Sequence, residues 1–290
     1  MTDTIGAALR RGAELLAAAG IDGAPGEARR LLAHALGEPP SALVDRSRVV
    51  ETGSLKALIA RRAAREPMSY ITGFQGFWTL DLAVTPAVLI PRADSETLIE
   101  AALACFSERG QVRRVLDLGA GSGCLLLATL SEFGGAVGIG VDLSAPAARL
   151  ARDNAKRCDL APRAAFVVGC WAESLDGAFD LVLCNPPYIE SDALPGLMPE
   201  VSRHEPRAAL DGGRDGLAAY RAILADLPRV LAAAGAAVLE IGAGQADAVA
   251  EFAVVSGLRV ETIRPDLGGH PRAVVLRHAK KPFGTTGQLR

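Results

Sequence analysis

Apolar residues recur along this chain at two different periods. Up to about residue 75 they keep helical spacing. Ile5, Leu9 and Leu16 share one face, with Arg10, Arg11 and Glu14 on others. Pro25 stands where a first-turn proline opens a second helix, GEARRLLAHAL, closed by Gly37 and Pro39–Pro40. A third helix, SLKALIARRAARE, takes Ser54 as its cap and stops before Pro67. Between residues 70 and 90, YITGFQGFWTLDLAVTPAVLI brings glycines, aromatics and β-branched residues, the pattern of a hairpin-like connector.

From about residue 92 apolar strands alternate with helical stretches. Strands are read at RRVLDLG, AVGIGVDL, AAFVVGC, FDLVLCN, AAVLEIG, LRVETIR and AVVLRH, with helices near 122–133, 145–157, 214–233 and 244–256. Such alternation predicts a parallel sheet covered on both faces. Only DLGGHPR separates the last two strands, too little for a parallel crossover, so they should run antiparallel. The expected fold is therefore α/β: a mostly parallel, Rossmann-like sheet whose last strand is antiparallel, behind a small N-terminal helical domain. The expected boundaries are 1–75 for the helices, 76–91 for the connector, 92–280 for the sheet domain and 281–290 for a loose tail.

Composition narrows the class. Half of the 290 residues are hydrophobic and 22% are charged, a globular rather than a disordered balance. The net charge of −2 lacks the basic footprint of a nucleic-acid binder, so no direct nucleic-acid binding is expected. The five cysteines include no C-x-x-C, which favours neither zinc nor a redox dithiol. No metal is expected, and reduced thiols point to the cytoplasm. No apolar run of membrane-spanning length occurs, so no membrane association is expected.

The chemistry begins at VLDLGAGSGCLLLA, residues 115–128. A strand runs into a helix through Gly119, Ala120, Gly121, Ser122 and Gly123. Glycines let the backbone turn tightly and let a ligand approach it. The helix that follows presents free N–H groups and the positive end of its dipole. Asp142 ends the next strand, 19 residues after Gly123, where it can accept both ribose hydroxyls of an adenosine-type ligand. The spacing is D-x-G-x-G-x-G from Asp117 rather than the G-x-G-x-x-G that seats a pyrophosphate. It resembles the first motif of S-adenosylmethionine-dependent methyltransferases. A second glycine turn, EIGAGQ at 240–245, has no acidic partner on a following strand and reads as a tight turn only.

A fourth strand, FDLVLC, ends abruptly at Asn185, Pro186, Pro187 and Tyr188. In a doubly wound sheet that end lies beside the glycine loop. The prolines fix their own φ angles and carry no N–H, so the elbow offers acceptors only, the Asn185 side-chain oxygen and the Pro186 carbonyl. Tyr188 adds a flat face. Two fixed acceptors suit a planar NH₂ nucleophile: they hold both hydrogens, favour electron density on nitrogen and aim it at a methyl sulfonium. Such positioning supplies roughly 7–11 kcal/mol of a transfer barrier. The bare alternative is a Pro-Pro turn after a strand.

With these motifs the chain is similar to amino-methyltransferases of the NPPY class, which methylate adenine N6, guanine N2 or glutamine N5. REPMSYITGFQGFW (65–78), VLIPRADSETLIE (88–100) and EVSRHEPRAALDGGRDGLAAYR (200–221) resemble segments of the bacterial release-factor glutamine methyltransferases, the HemK/PrmC family. The resemblance implies transfer of a methyl group from S-adenosylmethionine to the glutamine of a Gly-Gly-Gln loop in peptide-chain release factors, leaving S-adenosylhomocysteine. It places Asp117, Gly119 to Gly123, Asp142 and Trp171 at the cofactor, Trp171 against the adenine. Asn185 falls at the junction of cofactor and glutamine, with Pro186, Pro187, Tyr188 and Arg92 around the amide. Where the family has Pro-Arg-Pro-Asp-Thr-Glu, this chain has Pro91, Arg92, Ala93, Asp94, Ser95 and Glu96, which should loosen that turn slightly. Two other readings stay open: a nucleic-acid amino-methyltransferase acting on a flipped base, and a cofactor-binding partner of the translation machinery whose catalysis is incidental.

Overall fold

The structure is a computed structural model that describes residues 2–279; the tail expected at 281–290 lies outside the described residues. The chain divides into two compact units. The first holds the described residues up to Phe74 with Val84–Pro86 and Gly196–Glu205. The second holds Gln75–Ala83, Ala87–Pro195 and the described residues from Pro206 onward.

In the first unit β1 (Thr2–Thr4) leads directly into α1 (Ile5–Ala18), whose first turn is capped by Thr4 Oγ1 accepting from the Ala7 N–H at 3.2 Å. α2 (Ala24–Leu36) has Pro25 in its first turn and ends at Gly37 with φ 66°. β2 (Val49–Glu51) pairs antiparallel with β1, a small ribbon that the helical spacing did not predict. α3 (Gly53–Ala63) follows, and then the short α4 (Met68–Thr72). The expectation for Ser54 is corrected here: it lies inside the first turn of α3, because the chain leaving β2 enters the helix one residue earlier, at Gly53. Ile5, Leu16, Leu31, Leu32 and Leu43 are fully buried between these helices. Each such side chain contributes about 1.5–3 kcal/mol by leaving water.

β3 (Phe74–Phe77), which enters the second unit at Gln75, and β4 (Leu80–Ala83) form the expected hairpin. Ala93–Ser95 make a single tight turn into α5 (Glu96–Cys105), so the turn forms without the second proline. The alternation then runs β5 (Arg114–Leu118), α6 (Cys124–Glu132), β6 (Val137–Asp142), α7 (Ala145–Arg157), β7 (Ala164–Val168) and β8 (Phe179–Cys184). Next comes α8 (Pro199–His204), which belongs to the first unit, where Glu200 pairs with Arg62 at 2.9 Å and Arg65 at 3.0 Å. The second unit closes with α9 (Ala218–Val230), β9 (Leu231–Glu240), α10 (Ala246–Val255), β10 (Leu258–Pro265) and β11 (Pro271–His278).

The seven large-sheet strands take the order β10-β11-β9-β8-β5-β6-β7. All neighbours from β9 to β7 are parallel, and β11 is antiparallel to both β10 and β9. Side chains alternate through the sheet. Val115, Leu181 and Leu183 pack under α5, α6 and α7, whereas Leu116, Leu118 and Val182 pack under α9 and α10. Two differences from the periodicity have local causes. α5 buries Leu98, Ile99, Ala101 and Ala102 around much of its circumference, so it lacks a polar stripe to reveal it. β9 begins five residues before AAVLEIG, at Leu231, because pairing with β8 overrides the helix preference of the preceding alanines.

Candidate active site

The site grows from the carboxyl ends of β5, β6 and β8. Leu118, the last residue of β5, is level with Cys184 on β8 and Val141 on β6. The chain then turns through Gly119 (φ 77°), Gly121 (φ 55°) and Gly123 (φ 83°), left-handed conformations that favour glycine. Gly119 and Ala120 N–H groups both donate to the Val141 carbonyl at 2.9 Å. Gly121 N–H donates to Asp142 Oδ2 and Ser144 N–H to Asp142 Oδ1, each at 2.8 Å. One carboxylate thus shapes the loop and leaves lone pairs for hydroxyl donors.

Asp117 is fully buried below the loop. Its Oδ2 accepts the Leu126 N–H at 3.2 Å, while Oδ1 has no hydrogen-bond partner. Burial pushes its carboxyl up to about 7, the Leu126 N–H opposes this, and the charge of Asp142 adds to it.

A cavity of about 460 Å³ opens above the loop, within the range of small-molecule sites. Arg92, Gly119, Ala120, Gly121, Ser122, Asp142, Trp171, Asn185 and Pro187 line it. Asp117, Gly123, Pro186 and Tyr188 are not among its lining residues. Trp171 leans over Gly119: a β-carbon there would stand 3.4 Å from ring atom Cζ3. At Gly121 a β-carbon would meet nothing within 4 Å, so that backbone faces open space.

Asn185 follows β8 directly. Its Nδ2 donates to Ser95 Oγ at 3.0 Å, and Ser95 Oγ donates to Glu240 Oε2 at 2.5 Å. Tyr188, outside the cavity lining, donates its hydroxyl to Glu240 Oε1 at 3.1 Å. Burial raises the Tyr188 hydroxyl above its ordinary range, with the Glu240 charge second. Gln245 Nε2 donates to the Tyr188 carbonyl at 2.9 Å, and the backbone of Ile189 exchanges bonds with Leu210 and Gly212 at 3.0 and 2.8 Å. The elbow is therefore braced from both sides. Glu96, at the end of the Pro91–Glu96 segment, accepts the Trp78 N–H at 2.7 Å and so ties the hairpin to α5.

Ser95, Glu240 and Gln245 carry no role in the sequence reading. Glu240 left a signal: an acid in the apolar run AAVLEIG of a central strand needs a buried partner. The EIGAGQ turn forms as expected, with the Gln245 N–H donating to the Gly242 carbonyl at 3.2 Å. Its side chains nevertheless support the Asn-Pro-Pro-Tyr elbow.

Comparison with known proteins adds relatives to this geometry. The family profile described as the PrmC N-terminal domain matches residues 7–73, and that of the methyltransferase small domain matches residues 95–203. A release factor glutamine methyltransferase of Rhodospirillum rubrum is 47% identical over 277 residues, which are 94% of this chain and 85% of that one. The chain belongs to the release factor glutamine methyltransferase family. Family members from Caulobacter vibrioides and Bradyrhizobium diazoefficiens are each 42% identical, covering 95% and 94% of this chain and 96% and 95% of their own. The second unit is thus the Rossmann-like sheet of a class I methyltransferase, and the helical first unit contains the PrmC N-terminal match.

Proposed function

We propose that this protein transfers a methyl group from S-adenosylmethionine to the side-chain amide nitrogen, N5, of the glutamine in the Gly-Gly-Gln motif of peptide-chain release factors. The residues present suit that cofactor. Gly121 offers open backbone, Asp142 keeps lone pairs free for two hydroxyls, and the unpaired oxygen of Asp117 suits a positively charged ligand nearby. Gly119 to Ser122, Asp142 and Trp171, which line the cavity, would hold it, with Asp117 buried below the loop. When bound, the cofactor supplies a methyl carbon on a sulfonium, which the amide nitrogen takes with its own electron pair, leaving S-adenosylhomocysteine and one proton for solvent.

The observation that carries the reading is the posture of Asn185. It sits on the cavity wall beside Gly119, with its NH₂ turned back to Ser95. Its Oδ1 is then the atom available to an incoming amide. In this reading Asn185 Oδ1 and the Pro186 carbonyl accept the two N–H bonds of the glutamine amide; Asn185, Pro187 and Arg92 line the cavity, and Pro186 stands next to Asn185 in the chain. Asn185 and Pro186 orient the nitrogen and keep its lone pair directed at the methyl carbon. Tyr188 supports the elbow from behind through Glu240.

The release factor is the partner in this reading, and no contact with nucleic acid is needed. No helix among the described residues is long and apolar enough to cross a membrane. The five free cysteines agree with a cytoplasmic setting. Mass spectrometry of a release factor after incubation with the protein and cofactor should find 14 Da (one methylene) on the Gly-Gly-Gln glutamine, roughly the mass any N-methylation adds. Asn185→Ala should abolish this while binding cofactor. Normal labelling by that variant would refute the role of Asn185, and unlabelled glutamine with the intact protein would refute the activity.

A further inference from the structure

Glu240 and Ser95 form a buried pair behind the elbow, and each is only 2% exposed. They come from distant parts of the chain, the end of β9 and the turn before α5. Glu240 accepts from two hydroxyls, Ser95 Oγ on Oε2 at 2.5 Å and Tyr188 on Oε1 at 3.1 Å. Burying a carboxyl on a central strand is expensive, and its persistence calls for more than packing.

The direction of the hydrogen bonds supplies a reason. A serine has one proton. While that proton is donated to Glu240, Ser95 Oγ faces Asn185 with lone pairs alone. Only the NH₂ end of the Asn185 amide can meet it favourably. Were the amide turned round, two oxygens would face each other at 3.0 Å. The charged groups that act most on Glu240 are Arg272 on β11 and Asp94 in the turn before α5. Arg272 is held by Asp266 at 3.0 Å and by Asp94 at 3.5 Å, so it is not drawn away to solvent.

We propose that Glu240 and Ser95 are positioning residues: they fix which end of the Asn185 amide points into the cavity and so keep its oxygen toward the substrate amide. This rests on the reading of Asn185 as an acceptor for that amide. The same arrangement rejects an acceptor-only group at that place and selects an NH₂ nucleophile.

The test compares Ser95→Ala, Glu240→Gln, the double variant and Asn185→Ala in steady-state methylation of a release factor, with cofactor binding measured by calorimetry. Ser95→Ala frees the amide to rotate, and kcat should fall about 30-fold, the worth of one hydrogen bond to a charged or strongly polarised partner. Glu240→Gln can donate its own NH₂ to Ser95, releasing the serine proton toward Asn185 and favouring the turned amide; kcat should fall at least as far. Cofactor affinity should stay within about threefold, and KM for the release factor should change less than kcat, because the turned amide touches one group of a whole protein substrate. The double variant should lose no more than the worse single variant, since the two residues act through one bond. Independent, additive losses overturn the proposal, as does full turnover in Ser95→Ala. Should Glu240→Gln not fold, Ser95→Ala alone decides. Asn185→Ala separates the two claims. If it is inactive while Ser95→Ala is fully active, only the positioning pair is refuted; if it is active, the acceptor role itself is.

Discussion

Replacing Asp117 by asparagine removes a charge that the folded protein holds at a cost. In the unfolded chain this carboxyl titrates near 3.8, and in the fold, buried with one oxygen unpaired, it is pushed up to about 7. A displacement of about 3 pH units is worth about 4 kcal/mol. The sign follows from proton counting. Between pH 4 and 7 the native state binds the proton and the unfolded state does not, so stability falls as pH rises. Below about pH 4 both states are protonated and the cost vanishes. Above about pH 7 both are ionised and it is complete. Asparagine never ionises and keeps an acceptor for the Leu126 N–H. The stability of Asp117→Asn minus that of the wild type should therefore climb by about 3 kcal/mol between pH 4.5 and 8, the first ~1 kcal/mol having accrued below pH 4.5. Urea unfolding followed by far-ultraviolet circular dichroism, without cofactor, measures it. The new NH₂ where Oδ1 stood shifts the whole curve by a constant, so the slope carries the test. A difference independent of pH across that interval would refute this account of the buried carboxyl.

Two other substitutions probe the supports of the site and of the first unit. At Gly216 (φ 70°) an added β-carbon would lie 2.5 Å from the Tyr188 carbonyl oxygen, so Gly216→Ala should displace the elbow, lowering kcat about tenfold and stability by about 1–2 kcal/mol in kinetic and unfolding assays. Arg62, 7% exposed, bonds Glu27 at 2.5 Å and Glu200 at 2.9 Å; Arg62→Met leaves Glu27 to Arg30 at 3.5 Å and Glu200 to Arg65 at 3.0 Å, and should cost about 2 kcal/mol by chemical denaturation, with less lost when both acids are also made glutamine.

The sequence disclosed the architecture where pattern and packing agreed. Strand and helix alternation located the parallel sheet, and the brevity of DLGGHPR required the antiparallel β10–β11 pair. The glycine loop and the elbow were visible because glycine and proline constrain the backbone by themselves. What stayed hidden depends on distant pairing. Ser95 and Glu240 are 145 positions apart, and nothing near either residue announces the other. Likewise Gln245 looked like part of an idle turn, because its bond to the Tyr188 carbonyl spans 57 positions. The helix α5 was missed for the opposite reason: too much of its surface is buried to leave an amphipathic stripe.

The first unit is assembled from three stretches, the last of them, Gly196–Glu205, arriving shortly after the elbow. A scissors cut near residue 75 would not yield two clean modules. The leading fragment would keep Arg62 and Arg65 but lose the carboxylate that both of them grip, and the trailing fragment would carry a helical offcut stripped of its neighbours. Fusions, swaps between relatives and truncations of this enzyme succeed only if Gly196–Glu205 travels with the helices it completes.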